Sequence, residues 1–443
     1  MRWLELPNTA DGFLHYLRLV VLDFHARSGN LYPRWTPEFF RGMGYPVFNF
    51  YSPSTYYLAE LLVLLGAGYG AAMVLSMVLL LLLAGFGAYL LALDFLELQD
   101  GLPNGWAALV ASAAYVSAPY LLTNIYVRGA IAELGAQALL PWILWSFRRL
   151  LIADDPTPYA FVAAFSLGGL AVTHNISLLL FPPMLFIYLA VIWRQFQRSD
   201  QLRPARLCWV IGAGLAAVGV SAFFWLPLLV ERLYLADNAY SLSAARISEH
   251  VWTLASFLDL HVPFEYTGDA PFQFGFVQLL VGVTGFLLLK NRTAEAWYWA
   301  AVTLILSLLI FEPLLPFWLS SNIFLIVQFP WRLLAVITLP LSLFAGGLVQ
   351  RVRPGWIRAA VGLLLVGVIL VAGFPQIDWL KSFYFDDDHV GLASIAQIEF
   401  DTGHAPRIQP TNSCPAGSTK STTRGKASHR MKSTYACCAQ ARI

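Results

Sequence analysis

Apolar residues run through this chain in long blocks, broken by glycine, proline and short charged turns. Blocks near 70–96, 106–123, 131–150, 159–173, 176–194, 207–230, 274–290, 296–312, 331–350 and 356–374 approach or exceed the roughly 20 residues that cross a bilayer as helix. The pattern predicts an all-α protein, a polytopic transmembrane helical bundle of about 10 spans. The block "TYYLAELLVLLGAG" (55–68) is too short to cross and predicts a helix lying at the interface. Ahead of it, "TADGFLHYLRL" from Thr9 reads as a further helix. Spacings of i, i+4 and i+7 set Asp11, His15 and Arg18 on one face, beside an apolar stripe of Leu14, Leu17, Val21 and Phe24.

Composition agrees with a membrane protein. The chain is 58% hydrophobic and 12% charged, with mean hydropathy +0.62, where soluble domains carry about 25% charged residues. A net charge of +2 leaves no nucleic-acid footprint. The four cysteines form no CxxC in the membrane part, which argues against a zinc site or a disulfide framework. Trp (15), Tyr (19) and Phe (31) are numerous, as interfacial belts and apolar grooves require.

Charge in the short loops sets the orientation. Arg148 and Arg149, then Arg194, Arg198, Arg203 and Arg206, then Lys290 and Arg292, then Arg351, Arg353 and Arg358 all fall on one side, which is therefore cytoplasmic. The other side receives the first loop (1–69), the turn at 126–130, "THN" at 173–175, the 231–273 loop, the 313–330 connection and everything after 375. "MRWLELPNTA" holds no apolar core that could deliver the first loop outside, so the reading predicts a missing first span and a groove left open beside 9–25. From 411 to 443 the chain has six Lys/Arg, no acid, three cysteines and no hydrophobic period, and reads as a disordered or frameshifted tail. The expected divisions are thus 1–69, a bundle at 70–374, an outer C-terminal segment at 375–410 and the tail at 411–443.

Ionisable residues on the inner faces of a membrane protein are candidates for function. Asp11 either caps its helix or works with His15 and Arg18. In "YVRGAIAELGAQALLPW" (126–142), Glu133 sits within the apolar register near Arg128, as an anchoring ion pair or as a catalytic acid. In "VQFPWRLL" (327–334), Trp331 reads as an interface anchor and Arg332 either snorkels or reaches a phosphate. His174 in "THN" sits in a tight outer turn. "FDDDH" (385–389) reads as a solvated charge run. The aromatic stretch "YPRWTPEFFRGMGYPVFNFYSPSTYY" (32–57) reads as a structured loop lying on the membrane, able to stack on a sugar or cover a lipid tail.

An Asp opening the first outer loop, a "Y-x-P-x-x-Y-Y" stretch leading into a juxtamembrane helix and a second acid at the outer start of a later span together resemble the C-superfamily of membrane glycosyltransferases (GT-C). More closely, "ADGFLHYLR", "GMGYPVFNFYSPSTYYL", "VRGAIAEL", "THN" and "QFPWRLL" resemble the bacterial membrane proteins labelled 6-pyruvoyl-tetrahydropterin synthase-related, over about residues 9–405. The sequence shows no zinc-histidine set, so pterin synthesis is not implied.

The superfamily resemblance implies a multi-pass protein of the bacterial inner membrane that transfers a sugar from a polyprenyl-phosphate donor to a lipid or glycan acceptor. Asp11 and Glu133 match the two catalytic acids. Arg128 and Arg332 would hold the leaving phosphate, with His15, Arg18 and His174 as further substrate contacts. The two acids could ligate a divalent ion such as Mg or Mn, although nothing in the sequence requires one. The rival reading is a non-enzymatic polyprenyl-lipid transporter or assembly protein. Against it, no internal repeat is visible and the polar residues gather at the outer rim, not at mid-span.

Overall fold

The computed structural model describes residues 6–100, 104–197, 205–234, 247–258, 272–353, 355–377, 382–383 and 395. The charge run at 385–389 and the tail at 411–443 lie outside them. The long helices are α1 (Gly12–Arg27), α2 (Ser54–Leu64), α3 (Tyr69–Asp100), α4 (Gly105–Val116), α5 (Ile131–Ile152), α6 (Thr157–Ala171), α7 (Asn175–Gln197), α8 (Arg206–Glu231), α9 (Phe276–Leu288), α10 (Ala294–Leu308), α11 (Leu334–Ala345) and α12 (Gly355–Gly373). The protein is an all-α bundle. The only strands among the described residues are two-residue pieces, Leu6–Pro7 against Ser382–Phe383.

Six helical stretches among the described residues are long and apolar enough to cross a membrane: Tyr69–Glu97, Gly105–Arg128, Asn175–Gln197, Arg206–Tyr234, Pro330–Gln350 and Gly355–Gln376. The other four expected spans are helices of a different kind. α6, α9 and α10 have 15, 13 and 15 residues, which at about 1.5 Å per residue fall short of the hydrocarbon thickness. α5 has the length, but it carries Glu133, Arg148 and Arg149. It is buried along nearly its whole course, touching α3, α6 and α7. A helix buried on every face belongs at the centre of a bundle, whereas α8 and α12 turn many apolar side chains outward, as lipid-facing helices do.

The expected span at 106–123 is interrupted. After Val116 the chain breaks at Ser117–Ala118. It resumes as the short helix Pro119–Thr123 and then widens into a π-helix, Asn124–Arg128. Pro119 stands at the first helical position, where its missing N–H costs nothing. π turns of this kind concentrate at functional sites.

Loops assigned to one side by charge do meet on one side. The 9–12 turn hydrogen-bonds to 127–128, Ser54 N to Val172 O (3.1 Å), and Trp252 bridges Phe311. Leu6–Pro7 pairs with the segment after the last helix. At the opposite ends, Gln350 reaches Leu96 O (3.2 Å) and Lys290 N (3.4 Å), and Arg149 reaches Asp94 (2.6 Å). These two ends are called outer and inner below. The open groove expected beside 9–25 is largely filled. α2 and α3 pack against α1, so that Tyr16, Leu17, Leu19, Val20, Val21 and Leu22 are all buried.

Candidate functional site

The site is built where the first turn of the chain docks onto the end of the π-helix. Ala10 N donates to Val127 O (3.1 Å) and Asp11 N to Arg128 O (2.8 Å). Gly129, at φ +71°, makes the docking feasible. A Cβ there would lie 2.2 Å from Thr9 Oγ1 and 2.8 Å from the Gly12 nitrogen, so a side chain would force the two segments apart. The backbone of Asp11 is thus fastened to the backbone of Arg128, two segments more than a hundred residues apart.

Asp11 occupies the N-cap position of α1, but its carboxylate makes no capping hydrogen bond and is half-buried. One turn on, His15 is buried, with Nδ1 2.5 Å from the Tyr56 hydroxyl. Arg18 donates to the same hydroxyl (3.2 Å) and lies over the Tyr51 ring at 4.4 Å. Burial, then the Arg18 and Arg128 guanidiniums, hold the His15 imidazole well below its ordinary pKa. It is therefore neutral at physiological pH.

Glu133 opens α5 and is almost completely buried. Arg128 Nη1 donates to its Oε2 at 2.6 Å, Arg332 Nε stands 3.8 Å from the same oxygen, and the Tyr120 hydroxyl donates to Oε1. Arg128 also donates to Asn124 Oδ1 (2.6 Å) and lies 4.7 Å from the centre of the Trp331 ring. Arg332 is held by its own turn, through Val327 O (2.7 Å) and Gln328 Oε1 (2.9 Å). The φ of Gln328 is +68°, a costly conformation for a non-glycine residue. Trp331 is not the interface anchor expected from sequence. It is buried within an aromatic cluster with Tyr120, Phe272 and Phe329, at centroid distances of 6.1, 4.6 and 4.7 Å.

His174 lies in a turn clasped to the first loop. Ser54 Oγ meets Thr173 Oγ1 (2.6 Å), Ser52 Oγ donates to Asn175 Oδ1 (2.7 Å), and Asn175 Nδ2 donates to Phe50 O (3.1 Å). His174 Nδ1 lies 2.8 Å from the Ser177 hydroxyl and 3.3 Å from the Ser177 amide. Burial lowers the His174 pKa to about 4; the Glu133 carboxylate opposes that shift, and Arg332 and Arg128 add to it.

The structure thus joins Arg128, Glu133 and Arg332 directly and sets His174 within their field. His15 and Arg18 form a second group around Tyr51 and Tyr56. The Asp11 backbone links the two. Sequence reasoning missed Tyr51, Tyr56, Tyr120 and Asn124; the "Y-x-P-x-x-Y-Y" spacing was the available signal for the first two. Among the described residues, the Arg128 and Arg332 guanidiniums both face the Glu133 carboxylate. A divalent cation there would stand against both arginines. Among the described residues no group of three or more His, Cys, Asp or Glu is assembled for a metal, and no step below is routed through one.

A family model described as "6-pyruvoyl-tetrahydropterin synthase related domain; membrane protein" matches residues 48–380. An uncharacterized protein of Lactococcus lactis is 22% identical over 297 residues, 64% of this chain and 46% of its own length. Among solved structures, a point-mutant form of arabinofuranosyltransferase AftD from Mycobacteria aligns at TM-score 0.53 and 16% identity, covering 90% of this chain and 28% of that one. Oligosaccharyltransferase AglB from Archaeoglobus fulgidus, in complex with an inhibitory peptide and a dolichol-phosphate, aligns at TM-score 0.48 and 12% identity, over 94% of this chain and 58% of that one. The chain therefore spans less than half the length of the Lactococcus relative and about a quarter of AftD, with which it shares a fold.

Proposed function

We propose that this chain, which belongs to the 6-pyruvoyl-tetrahydropterin synthase-related family of membrane proteins, is an integral-membrane glycosyltransferase of GT-C type working at the outer face of a bacterial cell membrane. Its donor is a sugar carried on a polyprenyl phosphate, and its acceptor is a lipid or surface glycan. Asp11 is the general base. It takes the proton of the acceptor hydroxyl as that oxygen bonds to the anomeric carbon; the anomeric C–O bond to the phosphate breaks, and its electron pair leaves with the polyprenyl phosphate. Arg332 and Arg128 stabilise the charge on that departing phosphate with fixed donors. Glu133 keeps both arginines in place and orients the acceptor. The neutral His174 and the His15–Arg18 pair line the substrate path.

The observation that carries this reading is the convergence of Arg128 and Arg332 on a single buried carboxylate, beside the turn that fastens Asp11 to Arg128. Purified protein in nanodiscs, supplied with a polyprenyl-phosphate sugar, tests it. Native protein is expected to turn the donor over, and Asp11→Ala to bind it without turnover. Equal turnover by both proteins would remove Asp11 from the mechanism. Donor binding with no turnover by the native protein would favour the transporter or assembly reading.

A further inference from the structure

The outer loop between α1 and α2 is built to display apolar side chains instead of hiding them. Thr36 and Tyr45 pair as an antiparallel bridge, with both backbone hydrogen bonds at 3.0 Å and the Thr36 hydroxyl on Tyr45 O at 2.6 Å. The turn between them places Phe40, Arg41, Gly42 and Gly44 at positive φ. Phe39 is buried in the core, which pins the turn from within. The Trp35 ring lies directly on Gly44, where a Cβ would come within 2.3 Å of it. Yet Trp35 is 55% exposed, and Leu31 (69%), Met43 (46%) and Tyr45 (42%) are exposed with it. A tryptophan seated on a glycine by a costly turn is held in that exposed position, not left there by chance.

The position of the loop shows what it meets. Tyr32 packs edge-on against Phe223, centroids 5.8 Å apart, on the outward, lipid-facing flank of α8. Arg34 and Asn49 hold Glu231 at the outer end of the same helix, at 3.7 and 2.6 Å. Phe223 lies eight residues before Glu231, hence about 12 Å deeper along the helix axis. The loop therefore starts down the side of α8 and rises to its rim. Its exposed aromatics continue the apolar surface that α8 presents to lipid, at the depth where Trp and Tyr favour the headgroup boundary.

We propose that residues 31–45 form a membrane-inserted anchor, with Leu31, Trp35, Met43 and Tyr45 seated in the headgroup–acyl boundary of the outer phospholipid leaflet. The anchor fixes the depth of α1, and with it Asp11, relative to the membrane surface. It does not depend on the reaction proposed above.

The test uses the full chain in phosphatidylcholine nanodiscs, with Cys208, Cys414, Cys437 and Cys438 changed to serine and a spin label at Met43→Cys. Labels at Phe223→Cys, on the lipid flank, and at Asp155→Cys, in an exposed inner turn, are the references. At position 43 the ratio of oxygen to water-soluble nickel accessibility is expected to exceed that at 155 several-fold and to fall below that at the deeper position 223. A ratio equal to that at 155 would overturn the anchor, leaving the aromatic loop in water, where sugar stacking becomes its role. The cysteine-retaining protein gives a second reading. Bromine-bearing lipid should quench native fluorescence more than that of Trp35→Phe, and equal quenching would also overturn the proposal.

Discussion

At the inner end of α5, Arg148 and Arg149 face Asp94 and Glu295. At its outer end, Glu133 faces Arg128 and Arg332. Both clusters are built on α5, but on different partners: Asp94 from α3 and Glu295 from α10 at the inner end, Arg128 from the π turn and Arg332 from the turn before α11 at the outer end. They differ also in how the charges are arranged. On the inner side, Arg148 lies 3.3 Å from Asp94 and 3.5 Å from Glu295, and Arg149 grips Asp94 with two nitrogens, so two cations meet two anions. Tyr188 completes the cluster by donating to Glu295 at 2.8 Å. Among the described residues on the outer side, Arg128 and Arg332 share the Glu133 carboxylate, with Asp11 fastened through its backbone to Arg128. The nearby His174 adds no further positive charge, because burial lowers its pKa to about 4. A buried charge must be matched to be tolerated. A cluster that cancels internally joins helices. One that gathers two guanidiniums at the outer end, beside the turn that carries Asp11, is placed to meet an arriving anion such as a phosphate.

The widest gap between the clusters should appear on removing one arginine from each. Arg148→Met leaves Glu295 buried without a cation, at a cost of about 3–5 kcal/mol. The folded fraction in detergent should collapse, or its melting temperature fall steeply. Arg332→Met leaves Glu133 still bonded to Arg128 at 2.6 Å, so folding should survive while donor turnover drops. If the two variants melt alike, the outer cluster is a structural joint too and the distinction drawn here is wrong.

Next in size is Asp11→Asn. The carboxylate makes no capping bond, so thermal stability should stay near native, while turnover is expected to fall by about 10²–10⁴-fold, the usual worth of a general base. Loss of stability instead of activity would make Asp11 a helix-start residue and move the chemistry elsewhere.

How much of this was legible follows from what each signal measures. Hydropathy found helices at every expected position, because long apolar blocks admit few other structures. It could not tell a 13-residue α9 from a full span, nor foresee that Pro119 and the π turn would break 106–123, since both depend on local backbone chemistry. Asp11, Glu133, Arg128 and Arg332 stood out as ionisable groups in an apolar register. Tyr120 and Asn124, which hold the Glu133–Arg128 pair, did not, because neutral polar side chains are common in such helices and their facing depends on the π turn. Arg148 and Arg149 served only to orient the chain. Nothing in their spacing showed that Asp94 and Glu295 would fold onto them from sites tens or hundreds of residues away. Trp331 was misread because an aromatic beside a helix start looks the same whether lipid or other aromatics surround it.

A smaller effect is expected where two buried acids stand together. Asp23 on α1 and Glu60 on α2 are both buried, and one cation serves the pair: Arg27 Nε donates to Asp23 at 2.6 Å, with the Tyr69 hydroxyl from α3 on its other oxygen at 2.7 Å. The missing positive charge is supplied by a proton. Burial, and then the Asp23 carboxylate, raise Glu60 from 4.5 to about 7, with Arg27 opposing. The direction of the pH dependence follows. Below the ordinary 4.5 both folded and unfolded chains hold the proton, and stability is unaffected. As pH rises toward about 7 the unfolded chain ionises first, so stability is lost across that window and levels off above it. Native protein in detergent should melt a few degrees lower at about pH 8 than at about pH 5, and Glu60→Gln, which cannot ionise, should lose that part of the slope. The difference between the two proteins is the quantity that decides. Parallel melting curves across the window would mean that Glu60 stays ionised beside Asp23. Burial beside a like charge would then not hold a proton on this acid, and the account of the Asp23–Glu60 pair would fall.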